Sequence, residues 1–363
     1  METGMEKRKM SIFRRIWVIC LVGTMILNGC ASTRYAPRAH WEQDVRGEKD
    51  TSLHELARKI GGSGCVVLDG KILYSWGRID RPVDWASASK PVLSTLFFCA
   101  LDRKLVRSAD ERLIDCGVPL RGKDTTITFR SLGAMTSGYT LKEAAGKAYA
   151  YNDYGIQLYE YALLEYLFHQ PAQEVASVQF ERLQFEDEWG YYHIPPKRHR
   201  ITLSVRDYAR LVWMWHNRGA WNEEQVIARK WFRKYMRPQV PYDLPHAAPC
   251  ERINDYLKIG SYGGGADHFT HLGPGVYGFN WWYNRPTPLK EGALLFPLLD
   301  DDWILSIGVR GHLSLFSPKK NYALITSFGN WKDRQKEWGD YEPLLNSFVE
   351  HMEKTYGKGG TTR

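Results

Sequence analysis

Cysteine is scarce, six in 363 residues, too few for a disulfide scaffold in a chain long enough to bury its own core. The motif G-x-S-x-G is absent, which argues against the nucleophile elbow of α/β-hydrolases. No internal repeat occurs, which excludes solenoids and propellers. Neither sign of charge dominates: 49 Lys and Arg stand against 41 Asp and Glu, a net of +8. So mild an excess fits contact with anionic polymers or membrane surfaces, and equally an ordinary basic protein. Nucleic acid is not implied. Hydrophobic residues at 44% and charged residues at 25% lie near globular averages, which sets aside disordered, collagen-like and multi-span membrane chains.

The amino terminus reads as an address. Lys7, Arg8, Lys9, Arg14 and Arg15 precede residues 16–27, an apolar run of 12. That is short of the roughly 20 residues that span a bilayer and suits the core of an export signal. Leu27-Asn28-Gly29-Cys30 follows and resembles the bacterial lipoprotein signal, in which the cysteine is lipidated and becomes the mature amino terminus. The expectation is a leader over 1–29 and a lipid anchor to the membrane at Cys30. The exported protein would then sit in the cell envelope facing the periplasm, on the outer membrane if the cell is Gram-negative. A plain secretory signal or an uncleaved anchor would export the chain too. The leader carries +3 of the net charge and leaves +5. Cys65, Cys99, Cys116 and Cys250 then face an oxidising compartment and allow three pairings. Cys65 and Cys99, lying in apolar runs, also fit as core residues.

Residues 30–58 are polar, without a sustained apolar period, and read as a tether ending in a short helix around Ser52-Leu53-His54-Glu55-Leu56. Residues 59–356 form the expected domain and 357–363 a polar tail. The domain opens with two β-rich runs from Cys65 to Trp76, joined at Asp69-Gly70, a strong hairpin signal. From Lys90 to about Lys234 the pattern is mainly helical. Strands return at Trp303 to Gly308, Leu313 to Phe316 and Tyr322 to Phe328, before a closing helix through Leu344 to Val349. The predicted fold class is therefore α+β: an antiparallel sheet built from both termini and flanked by helices, with a mainly helical subdomain inserted.

Ser-x-x-Lys occurs at Ser87-Ala88-Ser89-Lys90 and at Ser317-Pro318-Lys319-Lys320. The second falls in a Pro-containing turn between strands and reads as structural. In the first, Ser87 and Lys90 share one face at the start of a long apolar helix. A hydroxyl there is a nucleophile if a nearby amine takes its proton and backbone N–H groups hold the oxyanion. The competing reading is a helix cap by Ser87 or Ser89, with Pro91 tolerated in the first turn.

At this point the sequence resembles the serine β-lactamase and penicillin-binding-protein superfamily, in its class C-like branch of β-lactamases, D-Ala-D-Ala peptidases, esterases and the 6-aminohexanoate-dimer hydrolase. The hairpin, the segment Trp85 to Lys90, and Ile127-Thr128-Phe129-Arg130-Ser131-Leu132-Gly133-Ala134-Met135-Thr136-Ser137-Gly138 occur in the family's order. Tyr151-Asn152-Asp153 falls where the family has Tyr-x-Asn. The resemblance implies Ser87 as acyl-accepting nucleophile, Lys90 as its proton partner and Tyr151 between nucleophile and leaving group. Asp153 replaces the family's Asn, an anion that only accepts hydrogen bonds, so either Tyr151 carries more of the proton transfer, or Asp153 takes a share, or the departure marks lost turnover. In place of Lys-or-His-x-Gly stands Val309-Arg310-Gly311. Valine binds no anion, and Arg310 should point to the other face of a strand, so a neutral ester or amide fits better than a carboxylate-bearing substrate. Gly311 would permit close approach, and the N–H of His312 would join that of Ser87 in the oxyanion hole. His312 itself reads more as a strand residue than as an acid or base.

Gly273-Pro274-Gly275-Val276-Tyr277-Gly278 spells G-x-G-x-x-G but follows no strand, so it reads as a loop. His268-Phe269-Thr270-His271 lacks a third ligand at a usual spacing. The basic run Lys197-Arg198-His199-Arg200 reads as a solvated loop, or one that meets phospholipid headgroups or anionic wall polymer. No metal or cofactor is expected. The sequence thus points to an exported serine hydrolase that cleaves a small-molecule or peptide-like ester or amide through an acyl-Ser87 intermediate. The alternatives are a non-catalytic envelope module, with Trp281-Trp282-Tyr283 gripping sugar or peptide, and a peptidoglycan D-Ala-D-Ala peptidase or β-lactamase.

Overall fold

Asp69 and Gly70 both adopt positive φ, 50° and 85°, the pair of left-handed positions that a two-residue hairpin turn demands. The computed structural model that shows this describes residues 40–194, 197–249, 253–265, 267, 272–330 and 342–357. The leader, Cys30, Cys250, His268, His271 and the tail from Lys358 lie outside the described residues. In chain order the elements are α1 (Thr51–Ile60), β1 (Ser63–Leu68), β2 (Lys71–Trp76), β3 (Val83–Asp84), a 3-10 turn (Ala86–Ser89), α2 (Lys90–Asp102), α3 (Phe129–Gly133), α4 (Asp153–Tyr161) and α5 (Ala172–Phe180). There follow β4 (Gly190–Ile194), β5 (Lys197–Leu203), α6 (Val205–His216), β6 (Ala220–Trp221), β7 (Glu224–Gln225), α7 (Arg229–Tyr235), β8 (Tyr277–Gly278), β9 (Trp281–Tyr283), β10 (Ile304–Gly308), β11 (His312–Phe316), β12 (Tyr322–Ser327) and α8 (Glu342–Tyr356).

The main sheet has seven strands in the order β2-β1-β12-β11-β10-β9-β8, all antiparallel. Its centre joins the two ends of the domain, with Ser63 opposite Ser327 and Leu68 opposite Tyr322, as the sequence predicts. β12 is buried at every residue because the sheet is covered on both faces. α6 packs on β1 and β12. α2 is buried from Lys90 through Leu101, the condition of a helix apolar nearly all round. Among the described residues seven tryptophans, including Trp85, Trp215 and Trp303, are fully buried, which explains where so aromatic a sequence puts its rings.

The domain starts earlier than the sequence suggests. Leu53, Leu56, Ala57 and Ile60 form a buried stripe on α1, at the i, i+3, i+4, i+7 spacing of an amphipathic helix, and the stripe packs against α8. Asp50 caps α1 by accepting from Leu53 N, and it also receives Tyr356 Oη at 2.8 Å and pairs with His351 at 2.7 Å. Upstream, Ile72 N donates to Glu42 O and Asp44 N to Ile72 O, both at 2.9 Å, and Trp41 is buried. Residues 41–58 are thus part of the domain rather than a tether. Their polar composition hides a four-residue stripe and a backbone pairing that needs no particular side chains. Cys65, Cys99 and Cys116 are free thiols, and burial pushes Cys65 up to about 12.

Candidate active site

The turn that carries Ser87 is held from several sides. Ala86 has φ +48°, a left-handed conformation that costs a non-glycine residue about 1–2 kcal/mol. Asp84 holds it there by accepting from Ala86 N at 2.8 Å, and Ser89 Oγ donates to Ala86 O at 2.6 Å. Trp85, fully buried, donates from Nε1 to Leu203 O at 2.9 Å and stacks on Tyr208 with centroids 3.8 Å apart. The Tyr208 hydroxyl donates to Ala88 O at 2.5 Å. Neither Ser87 nor Ser89 caps α2, so the capping alternative fails. Ser87 is half-buried at the turn, and Lys90 behind it is 4% exposed.

Lys90 Nζ donates to Ser87 Oγ at 2.8 Å and pairs with Asp153 Oδ1 at 2.8 Å. It also lies 4.7 Å from the centroid of the Tyr151 ring. The four residues read from separate sequence segments therefore meet around one ammonium group. Asp153 is the first residue of α4, where the helix dipole favours an anion. Asn152 anchors the approach: its Oδ1 accepts from Tyr154 N at 2.8 Å and its Nδ2 donates to Tyr139 O at 3.0 Å. Tyr151 N donates to Asp267 Oδ1 at 2.9 Å, and Asp267 is clamped in turn by His246 at 2.6 Å. The Tyr151 ring stacks on Trp282, 5.7 Å away and 18° from parallel. Gly263 passes so close to Asp153 that a Cβ there would fall 2.0 Å from Oδ2.

The segment after β10 departs from the sequence expectation. Residues 309–311 are not on a strand; they are the turn between β10 and β11. Arg310 has φ +68° and reaches back to the rim of the site, with Nη2 3.6 Å from Asp84 Oδ2. Val309 is half exposed. Gly311 packs against Gly329, where a Cβ would fall 2.1 Å from Gly329 O. His312 stands opposite Gly308, its ring buried between Trp85 and Phe328 with neither nitrogen hydrogen-bonded among the described residues. Burial lowers it to about 4, so it is a neutral imidazole near neutral pH. The close approach to the nucleophile is made by Gly308, whose Cβ position would lie 2.7 Å from Ala88 N and 3.2 Å from Ser87 N.

Asp84 sits at the centre of the rim. Tyr262 Oη donates to it at 2.7 Å, Arg200 Nη1 lies 3.9 Å away, and Arg310 approaches from the turn. Burial pushes its carboxyl up, but the Tyr262 hydroxyl and the Arg200 guanidinium outweigh that and leave it below the usual carboxylate range. Asp84 and Asp267 escaped the sequence reading, since each is a common residue without a motif, while Asn152 and Gly308 stood in recognised segments but were given no role. A left-handed Ala beside the nucleophile leaves no sequence signal. Trp281, Trp282 and Tyr283 are 0–3% exposed and offer no surface to grip a ligand. Among the described residues no group of three His, Cys, Asp or Glu is placed to hold a metal ion.

No protein-family model matches the chain, and no curated protein matches it in sequence. Solved structures do match. A protein from Bacillus anthracis assigned as a 6-aminohexanoate-dimer hydrolase aligns with TM-score 0.60 and 13% identity, covering 88% of this chain and 89% of that one. A β-lactamase from Mycobacterium bovis aligns at 0.59 and 16%, covering 83% and 98%. A β-lactamase/D-alanine carboxypeptidase from Yersinia pestis aligns at 0.57 and 14%, covering 82% and 98%. The chain has the fold of the serine β-lactamase and penicillin-binding-protein superfamily.

Proposed function

We propose that this chain is a serine hydrolase that cleaves an ester or amide through an acyl-Ser87 intermediate. The observation that carries the reading is the row Ser87 Oγ, Lys90 Nζ, Asp153 Oδ1, with 2.8 Å at each step. In this reading Ser87 Oγ attacks the carbonyl carbon while its proton moves to Lys90, which passes one of its own to Asp153. The relay gives the family-departing carboxylate a part in the chemistry. The oxyanion faces Ser87 N–H and the backbone at the end of β10, beside Gly308. Tyr151, whose ring centroid lies 4.7 Å from Lys90 Nζ, donates a proton to the leaving group and recovers one from Asp153 through Lys90, which empties the relay for the second step. Water then attacks the acyl carbon, the relay takes its proton and returns it to Ser87 Oγ as the acyl bond breaks, so that Ser87 leaves as the hydroxyl. The 6-aminohexanoate-dimer and D-alanine assignments of the structural neighbours suit a small amide or peptide-like substrate.

Export and lipid anchoring at Cys30 belong to the same proposal. Their support is the basic stretch, the 12-residue apolar run and Leu27-Asn28-Gly29-Cys30.

Intact-protein mass after incubation with a fluorophosphonate, and separately with a penicillin, tests the activity, with Ser87→Ala as control. A single Ser87-dependent phosphonyl adduct is expected. An adduct with penicillin as well would move the substrate toward peptidoglycan peptides. Labelling by neither reagent would overturn the hydrolase reading in favour of a binding module on this fold.

A further inference from the structure

At the end of β10 away from Ser87 lies a cavity of about 460 Å³ that collects positive charge unused by the acyl chemistry. Arg218, Arg233, Arg237, Arg285 and Lys319 line it, with the carboxylates of Asp301 and Asp302. The carboxylates are already engaged. Arg285 Nη1 donates to Asp301 at 2.5 Å. Asp302 accepts from Ser317 Oγ at 2.7 Å and lies 3.7 Å from Lys319 Nζ. Arg218, Arg233 and Arg237 have no carboxylate partner among the described residues.

Three guanidinium groups gathered at one cavity, whose two carboxylates are paired with Arg285 and Lys319, repel one another, a cost that an incoming anion would lower. Burial, and then the charges of Arg233 and Arg229, hold Arg218 below the usual guanidinium value. The helix dipole accounts for part of the arrangement, since Arg218 follows the end of α6 and Arg233 sits in the last turn of α7. It does not account for both helices, Arg237 two residues past α7 and the β11–β12 turn bringing their cations to a single hollow. Trp303, on the wall, has an indole N–H with no hydrogen-bond partner among the described residues, and Met236 and Pro238 supply apolar surface.

We propose that this cavity binds an organic phosphate, its phosphoryl oxygens on Arg218, Arg233 and Arg237 and its carbon body against Met236 and Pro238. The planar fork of arginine matches phosphate oxygens in bidentate fashion. The site is separate from the nucleophile. Ile304 lines the cavity and Gly308 touches the Ser87 turn, so four strand rises, about 13 Å, lie between them. The phosphoryl group is shared by soluble sugar phosphates and by phospholipid headgroups, and the two sources can be told apart.

Calorimetric titration of the full chain with glucose 6-phosphate, with glucose as the uncharged control, reads the soluble source. Sedimentation with phosphatidylglycerol vesicles, against phosphatidylcholine vesicles, reads the lipid source. One or both phosphate probes should bind, glucose and phosphatidylcholine should not, and raising salt from about 50 to about 500 mM should weaken binding at least tenfold. Arg218→Gln with Arg233→Gln should lower the affinity at least tenfold and leave fluorophosphonate labelling of Ser87 unchanged. The exposed pair Arg233→Gln with Arg237→Gln serves should the partly buried Arg218 prove necessary for folding. Absence of binding to both phosphate probes at millimolar concentration, or binding that survives the exposed pair of substitutions, would overturn the proposal.

Discussion

Gly308→Ala places one methyl group where the structure leaves no room for it. The φ of Gly308 is outside the left-handed region, so alanine can adopt the backbone and space alone is at issue. The added carbon would fall 2.6 Å from Trp85 O, 2.7 Å from Ala88 N and 3.2 Å from Ser87 N. These are backbone atoms of a turn that Asp84 and Tyr208 hold in place, whereas a carbon contact wants about 3.5 Å. Strand and turn must separate by roughly 0.5–1 Å. Overpacking of this kind costs about 1–3 kcal/mol in stability, and a misplacement near 1 Å at reacting groups costs about 100-fold in rate. The assay is the rate of Ser87 phosphonylation by intact mass, with urea unfolding run in parallel. Gly308→Ala should fold, lose about 1–3 kcal/mol and label about 100-fold more slowly. Gly311→Ala is the control: its Cβ would strike Gly329 O at 2.1 Å, away from the nucleophile, so it should lose stability and, where folded, label within a few-fold of wild type. If Gly308→Ala labels at the wild-type rate, the end of β10 does not form part of the oxyanion site.

Asp153→Asn removes the acceptor at the end of the proton relay and should slow Ser87 acylation about 100-fold, the scale of a general base; an unchanged or faster rate in stopped labelling would mean that the carboxylate restrains Lys90 instead. His312 is lowered from 6.5 to about 4 in the folded chain, so protonation favours the unfolded state. Its contribution to stability is complete above pH 6.5 and is lost as pH falls toward 4, about 2.5 kcal/mol by pH 4.5. Urea unfolding at pH 7.5 and 4.5 should show His312→Gln losing that much less than wild type over the interval, and equal losses would refute the assignment. Ile60→Ala should cost about 2–4 kcal/mol in the same unfolding assay, whereas a change within about 0.5 kcal/mol would return α1 to the tether.

What the sequence reveals depends on whether a residue's reason is local. Asp69-Gly70 is legible because two successive left-handed positions admit few other residues. The strands β10, β11 and β12 are legible because each is a short run rich in β-branched, aromatic and aliphatic residues. The turn at 309–311 is legible only in part: the apolar runs stop at Gly308 and resume at Leu313, but the family's motif sets Val309-Arg310-Gly311 on a strand, and the register of Gly308 with His312 is what places it in the turn. Ser87, Lys90, Tyr151 and Asp153 were found because they stand in short patterns.

The residues that hold those four in place are invisible for the opposite reason. Asp267 lies 116 residues after Tyr151, in a polar stretch where an aspartate needs no explanation. Only the fold shows its carboxylate receiving the Tyr151 N–H and a histidine nitrogen together. The basic cavity is the same case with charge in place of position. Arg218, Arg233, Arg237 and Lys319 are spread over a hundred residues, each an ordinary surface cation in its own segment, and they become a candidate site only where two helix ends and a strand turn converge. A residue whose function is to steady or to gather others carries its signal in three dimensions. Such residues are therefore where a structure adds most to a chain whose nucleophile could already be read.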